Sequence, residues 1–352
     1  MAQEHSRNIA RDNHYVPQFL LRQWSLDGKN LWAYRLLVSK PDVQEWRRMP
    51  IRGLAYHRDL YTISEGDQET DDFERWLSAE FEQPASVAVH KVVKGARLKR
   101  KDRRSLARLL AAQDLRTPLT LLERSSRWKR ELPDLLTRTT QESLQQLTEA
   151  QRTNLPLATR AVPENEFSKL LSVRVEPKAS PEPRAMIRVE MITGPPLWMA
   201  EMRHLLGGDP AEILCSHPWS IVEPGDNEEW PITDHPVLKL NYYPTGEYDF
   251  GGGWGRNGTD IMMPLSPRKL LFVEVGRHAA RNVKFSPGHT WFIRRLLCER
   301  AHRWIFATKP KEWVGRFRPR TIDDEAFAAE TRAPERRHRE QTQSEMSAED
   351  NS

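Results

Sequence analysis

The spacing of apolar residues changes along this chain of 352 residues, and that change constrains the fold more than any other feature. Between residues 102 and 122, a stripe of leucines continued by Gln113 and Thr117 recurs every three or four residues, as on a helix with one buried face. Between residues 184 and 192, apolar and polar residues instead alternate one by one, which is typical of a half-buried strand. Because the helical pattern lies in the first half and the strand patterns gather in the second, the sequence predicts an α+β protein.

The same patterns predict how the chain is divided. A chain of this length exceeds what one hydrophobic core usually serves, so we expect two parts that pack together. We predict a disordered arm over residues 1–12, a mainly helical part with short strands over 13–172, a sheet-rich part over 173–310 and a disordered charged tail over 321–352. The sheet-rich part should contain a mixed or antiparallel sheet and end in a closing helix over residues 290–306.

Composition excludes several classes of protein. No stretch approaches the roughly 20 apolar residues that a membrane-spanning helix needs, and residues 1–12 lack the apolar core of a secretory signal. The two cysteines, Cys215 and Cys298, lie far apart in the sequence, so we expect reduced thiols and no disulfide framework. These observations predict a cytoplasmic protein with no membrane partner.

Positive charge is concentrated in one stretch. The net charge is +5, but residues 95–130 contain twelve Lys or Arg against three Asp or Glu, a local excess of +9 that leaves −4 for the rest. Such a stretch can follow a phosphate backbone while an aromatic ring stacks on a base, here Trp128. The alternative is a solvated helix face. The candidate nucleic-acid-binding residues are Arg97, Lys99, Arg100, Lys101, Arg103, Arg104, Arg127, Trp128, Lys129 and Arg130.

The N-terminal segment carries the most distinctive polar side chains. If the stretch after Pro17 is helical, as a proline at a first helical position allows, His14, Gln18 and Arg22 lie four residues apart on one face. Arg22 would then bind a phosphate or carboxylate, and His14 would act as an acid or base near neutral pH. The alternative is a structural network that ties this segment to backbone carbonyls while its apolar residues fill the core.

Two polar residues interrupt the apolar face of the predicted helix. Gln113 and Arg116 need hydrogen-bond partners, because an orphaned buried group costs about 1–3 kcal/mol. Asp234 is a candidate partner, either in a salt bridge to Arg116 or Arg22 or in a ligand site. Ser266, between two prolines, is either a ligand-binding residue or a turn residue. The predicted pocket has catalytic His14, Arg22, Arg116 and Asp234, and ligand-binding Gln18, Gln113 and Ser266.

Metal and covalent chemistry receive little support from the sequence. Cys298 and His302 lie one helical turn apart, but together with Cys215 and His217 they match no common zinc spacing. Ser266 lacks the glycine pattern of a nucleophile elbow. We therefore predict no metal and no cofactor.

Four short segments, taken in order, resemble a known family. They are residues 14–22 (HYVPQFLLR), 113–118 (QDLRTP), 232–237 (ITDHPV) and 263–267 (MPLSP). Over roughly residues 13 to 307, the chain is similar to the bacterial family catalogued as domain of unknown function 4238. The resemblance implies a bacterial, cytoplasmic setting and no particular activity.

Two functions of different classes remain open, and with them the question of whether the protein is an enzyme. The first is an effector that acts on nucleic acid or nucleotides by phosphodiester cleavage in a defence or toxin-like role; arginines would stabilise phosphate charge and His14 would transfer protons. The second is a binding or interaction module without chemistry, whose polar residues support the fold. Either function predicts nucleic acid or another anionic partner, and the oligomeric state is left open.

Overall fold

The architecture combines helices with several separate sheets. The computed structural model describes residues 9–65, 68–153, 166–178, 184–243, 246–277 and 284–349. Helices prevail between residues 72 and 153, and antiparallel strands prevail between residues 219 and 274. The predicted α+β class is therefore confirmed.

Helices occur in both halves of the chain. In chain order they are α1 (Gln18–Leu21), α2 (Asp72–Leu77), α3 (Gln83–Val93), α4 (Arg100–Leu115), α5 (Pro118–Thr153), α6 (Pro195–Gly207), α7 (Pro210–Ser216), α8 (Pro287–Arg300), α9 (Glu312–Phe317) and α10 (Asp324–Glu349). A π turn over Ser78–Glu82 joins α2 to α3, just before Pro84, which has no backbone N–H to donate. Within the described ranges, every helix is too short or too polar to cross a membrane.

Helix α4 forms from the predicted amphipathic segment. The leucines between residues 106 and 115 are at most 4% exposed, as their spacing predicts. Asp102 fixes the start of the helix, because its carboxylate accepts hydrogen bonds from the Lys99 backbone N–H at 2.8 Å and from Lys91 Nζ at 2.6 Å. The helix therefore buries its apolar face while the cations of its first turn stay at the surface.

The strands are mostly short. In chain order they are β1 (Asp12–His14), β2 (Asn30–Arg35), β3 (Leu37–Val38), β4 (Trp46–Pro50), β5 (Tyr56–Arg58), β6 (Ile63–Glu65), β7 (Gln68–Thr70), β8 (Leu171–Lys178), β9 (Arg184–Met191), β10 (Trp219–Val222), β11 (Ile232–Thr233), β12 (Leu238–Tyr242), β13 (Tyr248–Asp249), β14 (Asp260–Ser266), β15 (Lys269–Glu274), β16 (Trp304–Ala307) and β17 (Thr321–Ile322). The five-stranded sheet has the order β10-β15-β14-β12-β13, and all of its neighbouring pairs are antiparallel.

A four-stranded sheet joins the two halves of the chain. Its order is β11-β16-β2-β4, and β16 pairs with β2 from Trp304↔Arg35 to Ala307↔Trp32. The largest apolar core likewise contains residues from both halves, among them Tyr15 and Phe306. The helical and the sheet-rich parts therefore share one sheet and one core.

The closing helix is shorter than its apolar spacing predicts. Helix α8 ends at Arg300, and the predicted last turn is instead strand β16. The reason lies in Asp234, whose carboxylate accepts hydrogen bonds from the backbone N–H groups of His302 at 2.9 Å and Arg303 at 2.7 Å. These two donors are therefore turned away from the helix, and the prediction of a helix up to residue 306 is wrong.

Two elements follow residue 320 in the charged tail. Strand β17 pairs in parallel with β3, and helix α10 follows it, whereas residues 350–352 lie outside the described residues; the disorder of this tail stays a prediction. Arg35 anchors α10, because its guanidinium carbon lies 4.2 Å from the centre of the Phe327 ring and its Nη2 donates to Glu330 Oε1 at 3.3 Å. In the predicted arm, residues 1–8 lie outside the described residues, whereas Arg11 donates to Asp59 at 2.9 Å.

Candidate functional site

The side chains of His14, Gln18 and Arg22 contact one another in sequence, although His14 belongs to β1 and lies outside the helix. Helix α1 begins directly after Pro17 and continues into a 3₁₀ turn. Gln18 Nε2 lies 3.4 Å from His14 Nε2, and Arg22 Nη2 donates to Gln18 Oε1 at 3.3 Å. His14 Nε2 also lies 3.2 Å from the carbonyl oxygen of Arg52. The structure therefore brings three of the predicted site residues together. We call the row of contacting side chains of His14, Gln18 and Arg22 the ladder.

The imidazole of His14 is only partly exposed. Desolvation lowers the pKa of His14 below its ordinary 6.5, and hydrogen bonds with the backbone of Arg52 and Asp12 oppose this shift without cancelling it. His14 is therefore mostly neutral at neutral pH. Both contacts are made by the same nitrogen, Nε2, which either donates to the Arg52 carbonyl or accepts from the Gln18 amide, depending on the tautomer.

A cavity of 420 Å³ opens beside the ladder, and we call it the signature cavity. The register Asn30↔Pro50 between β2 and β4 sets the turn that follows β4 against the loop that precedes β2. No carboxylate among the described residues forms an ion pair with the three cations of this cavity, Arg22, Lys29 and Arg52. The cavity is lined by Gln18, Arg22, Gly28, Lys29, Asn30, Pro50, Ile51 and Arg52.

Gln113 and Arg116 hold the backbone of the N-terminal segment rather than its side chains. Gln113 Nε2 donates to the Tyr15 carbonyl at 2.7 Å. The guanidinium of Arg116 is fully buried, donates to the His14 carbonyl, and forms a salt bridge of 2.6 Å with Glu82 Oε1. These two predicted site residues therefore lie directly behind the ladder, on the side that faces the core.

Two further groups complete this buried network around Arg116. The Tyr61 hydroxyl donates to the Arg116 carbonyl at 2.6 Å. Burial raises the pKa of Glu74 to about 7, and the attraction of the nearby Arg116 charge opposes this shift. Glu74 Oε2 is buried without a hydrogen-bond partner in the described part of the chain. Arg116 Nε and Gln113 Oε1 likewise lack a partner there, so the network is only partly satisfied.

Asp234 and Ser266 are buried away from the ladder. The predicted salt bridge from Asp234 to Arg116 or Arg22 is wrong, because Asp234 binds the backbone after α8 and Arg116 pairs with Glu82. Burial raises the pKa of Asp234 to about 6, against the hydrogen bonds that it accepts. Ser266 Oγ accepts the backbone N–H of Arg268 at 3.3 Å, which is the contact of a turn residue.

The cysteine and histidine residues considered for a metal site differ in their burial. Cys298 is buried, which raises the pKa of its thiol, whereas Cys215 is exposed on α7. Desolvation lowers the pKa of His302 to about 4. In the ranges that the structure describes, no group of three or more His, Cys, Asp or Glu side chains could hold a metal ion.

The first part of the basic stretch borders a cavity of 530 Å³, which we call the arginine pocket. Arg103 lies over the ring of Trp219, with 5.5 Å between the guanidinium carbon and the ring centre. Arg104 forms an ion pair with Asp209, whereas Arg100 and Arg103 form none with a described carboxylate. The pocket is lined by Leu98, Arg100, Arg103, Arg104, Ala211, Glu212, Cys215, Ser216 and Trp219.

The second part of the basic stretch has a different environment. Trp128 is 6% exposed and donates through Nε1 to Glu201 Oε1 at 3.0 Å, so the prediction that its ring stacks on a base is wrong. Arg127 and Arg130 both form ion pairs with Glu131, at 2.7 Å and 3.1 Å. The remaining predicted cations are exposed, namely Arg97, Lys99, Lys101 and Lys129.

Sequence reasoning missed part of each cavity. Lys29 and Arg52 reach Arg22 only through the pairing of β2 with β4, for which local spacing holds no signal. Trp219 reaches Arg103 only because α7 packs beside α4 and leads into β10. A search for cations near turns would have found the first pair, but no pattern within the basic stretch indicates Trp219.

These features define a class of protein: an α+β protein whose N-terminal segment is held from behind by a buried arginine and glutamine and which carries two basic cavities. A family model described as "Protein of unknown function (DUF4238)" matches residues 12–311, and the chain belongs to this family. The resemblance inferred from the four segments is thereby confirmed. No curated protein and no solved structure matches the chain.

Replacing Arg116 by methionine should lower the free energy of unfolding by about 3–5 kcal/mol, because Glu82 and the His14 carbonyl would lose their buried partner. Urea denaturation followed by tryptophan fluorescence measures this loss. Arg127→Met is the matched control, since Arg127 is exposed and an ion pair in solvent contributes little to stability. A loss below about 1 kcal/mol for Arg116→Met would contradict a structural role.

Glu74→Gln should change how stability depends on pH. Between the ordinary value of 4.5 and the raised pKa of about 7, the folded state binds more protons than the unfolded state, so Glu74 makes stability fall as pH rises. Relative to the wild type, the variant should gain stability across this interval, by up to about 3 kcal/mol at its upper end. Urea titrations at a series of pH values measure the effect, with Glu142→Gln on the exposed part of α5 as the control. Parallel pH curves for Glu74→Gln and the wild type would refute it.

Proposed function

We propose that the protein binds nucleic acid or a nucleotide in the arginine pocket, as a binding module. The observation that carries this proposal is that Arg100 and Arg103 line a cavity of 530 Å³ without an ion-pair partner among the described carboxylates. A cluster of cations that is not neutralised within the protein attracts anions from solution. The planar guanidinium group also matches two phosphate oxygens at once.

The aromatic wall of the pocket favours a ligand with a base. Arg103 already lies over the ring of Trp219 at 5.5 Å, and Leu98 adds apolar surface beside it. A nucleobase can extend such a stack on either an indole or a guanidinium plane. Glu212, which also lines the pocket, can accept a hydrogen bond from an amino group of a base.

The surface around the pocket would accommodate further phosphates. Arg97, Lys99 and Lys101 are exposed at the start of α4, where the positive end of the helix dipole lies. Asp102 is the acidic residue of this turn, and its carboxylate already accepts hydrogen bonds from Lys91 and from the Lys99 backbone N–H. A single strand that enters the pocket would therefore continue along a positive surface.

Binding rather than cleavage is proposed, because the predicted catalytic residues occupy three environments. His14 and Arg22 belong to the ladder, Arg116 to the buried network behind it, and Asp234 to the turn after α8. Phosphodiester cleavage needs an acid or base next to the arginines that hold the phosphate. The bacterial and cytoplasmic setting remains part of this proposal. A toxin-like role that depends on phosphodiester cleavage would require a catalytic site outside the arginine pocket.

The double substitution Arg100→Gln/Arg103→Gln should weaken binding of a labelled single-stranded RNA or DNA by about tenfold or more, measured by fluorescence anisotropy. The slope of log K against log salt concentration should also fall by about 1.4, because about two phosphate contacts are lost from a single strand. The affinity and its dependence on salt therefore test the contribution of the same two arginines in two separate ways.

Arg127→Gln/Arg130→Gln is the matched control, because it removes equal charge from arginines that already pair with Glu131. It should leave the affinity nearly unchanged. If both double variants weaken binding equally, the arginine pocket is not the site. If poly-glutamate competes as well as RNA does, the partner is an acidic protein surface and the nucleic-acid proposal fails.

A further inference from the structure

The signature cavity has a different chemistry from the arginine pocket. It brings together the cations Arg22, Lys29 and Arg52, and its lining contains no carboxylate and no aromatic ring. We propose that it is a second, separate binding site that takes the phosphate group of a small polar molecule, such as a sugar phosphate. Arg22 and Arg52 would bind the phosphate oxygens, and Lys29 would supply a further positive charge.

The loop before β2 is built to leave Lys29 unpaired. Asp27 Oδ1 accepts the backbone N–H groups of Lys29 at 2.8 Å and Asn30 at 2.7 Å, and its Oδ2 accepts Arg48 Nη2 at 2.6 Å. The neighbouring acid is thus used to shape the loop and is neutralised by Arg48. Gly28, with φ of +72°, allows the chain to turn between them. The ammonium group of Lys29 therefore keeps its charge available to the cavity.

Arg22 is held in place before any ligand binds. Its Nη2 donates to Gln18 Oε1, and Gln18 is in turn set against His14. A guanidinium has five N–H donors, so one hydrogen bond to Gln18 leaves the others for a ligand. A side chain that is already oriented loses less entropy when it binds, which strengthens a two-point contact with phosphate.

Size and lining restrict the class of ligand. A cavity of 420 Å³ lies in the range of small-molecule sites and is too small for a folded partner. The amide groups of Gln18 and Asn30 can hydrogen-bond hydroxyl groups, while Pro50 and Ile51 provide only a small apolar floor. With no ring on which a base could stack, the cavity fits a hydroxylated phosphate ester better than a nucleotide.

Phosphorus NMR titrations with glucose 6-phosphate and with inorganic phosphate test the proposal on the full chain. The titrations use the Arg100→Gln/Arg103→Gln background, which removes the arginine pocket as a competing phosphate site. Glucose 6-phosphate should bind saturably, and Arg22→Gln or Lys29→Gln should each raise its Kd about tenfold. Both side chains are exposed, so neither change should affect folding.

Arg47→Gln is the control, since Arg47 lies exposed on neighbouring β4 outside the lining and carries the same charge. It should leave the Kd unchanged. The proposal is overturned if glucose 6-phosphate does not bind saturably, if all three variants respond alike, or if inorganic phosphate binds as tightly as the ester. Arg22→Gln in the otherwise native chain should retain its affinity for RNA, so failure here is distinguishable from failure of the arginine pocket.

Discussion

The buried guanidinium of Arg116 is the contact on which the N-terminal half depends. It joins the end of α4 to Glu82 in the π turn and to the His14 carbonyl, and the Tyr61 hydroxyl bonds the carbonyl of the same residue. A charge in this position is tolerated only because it has partners on several sides. The position of the ladder on the surface therefore depends on the buried contacts of Arg116 behind it.

The charges of this protein follow two different rules. Inside, Arg116 is paired with Glu82 and Asp234 is bound to the backbone of the turn after α8, whereas Glu74 Oε2 lacks a partner in the described part of the chain. In the two cavities, Arg22 and Arg103 have no such acidic partner among the described residues. Folding alone gives no reason to collect like charges, since they repel one another. Their assembly is therefore better explained by a ligand than by stability.

The parts that could be predicted from sequence are those set by local spacing. Leucine spacing located α4, and the four-residue interval of His14, Gln18 and Arg22 indicated that these side chains contact one another. The parts that could not be predicted depend on distant pairing. The burial of Trp128 depends on Glu201 in α6, and the partner of Arg116 comes from an irregular π turn. Lys29 and Arg52 meet only through the register of β2 and β4.

The pairing of β16 with β2 has a consequence for the order in which the protein can form. Strand β2 is synthesised early, but one of its edges has no partner strand until residues 304–307 have been synthesised. Until then, that edge carries unpaired backbone groups that other chains can bind. A contact between such distant segments also closes a long loop, which slows folding. An N-terminal fragment that ends before β16 should therefore remain incomplete however well its helices form.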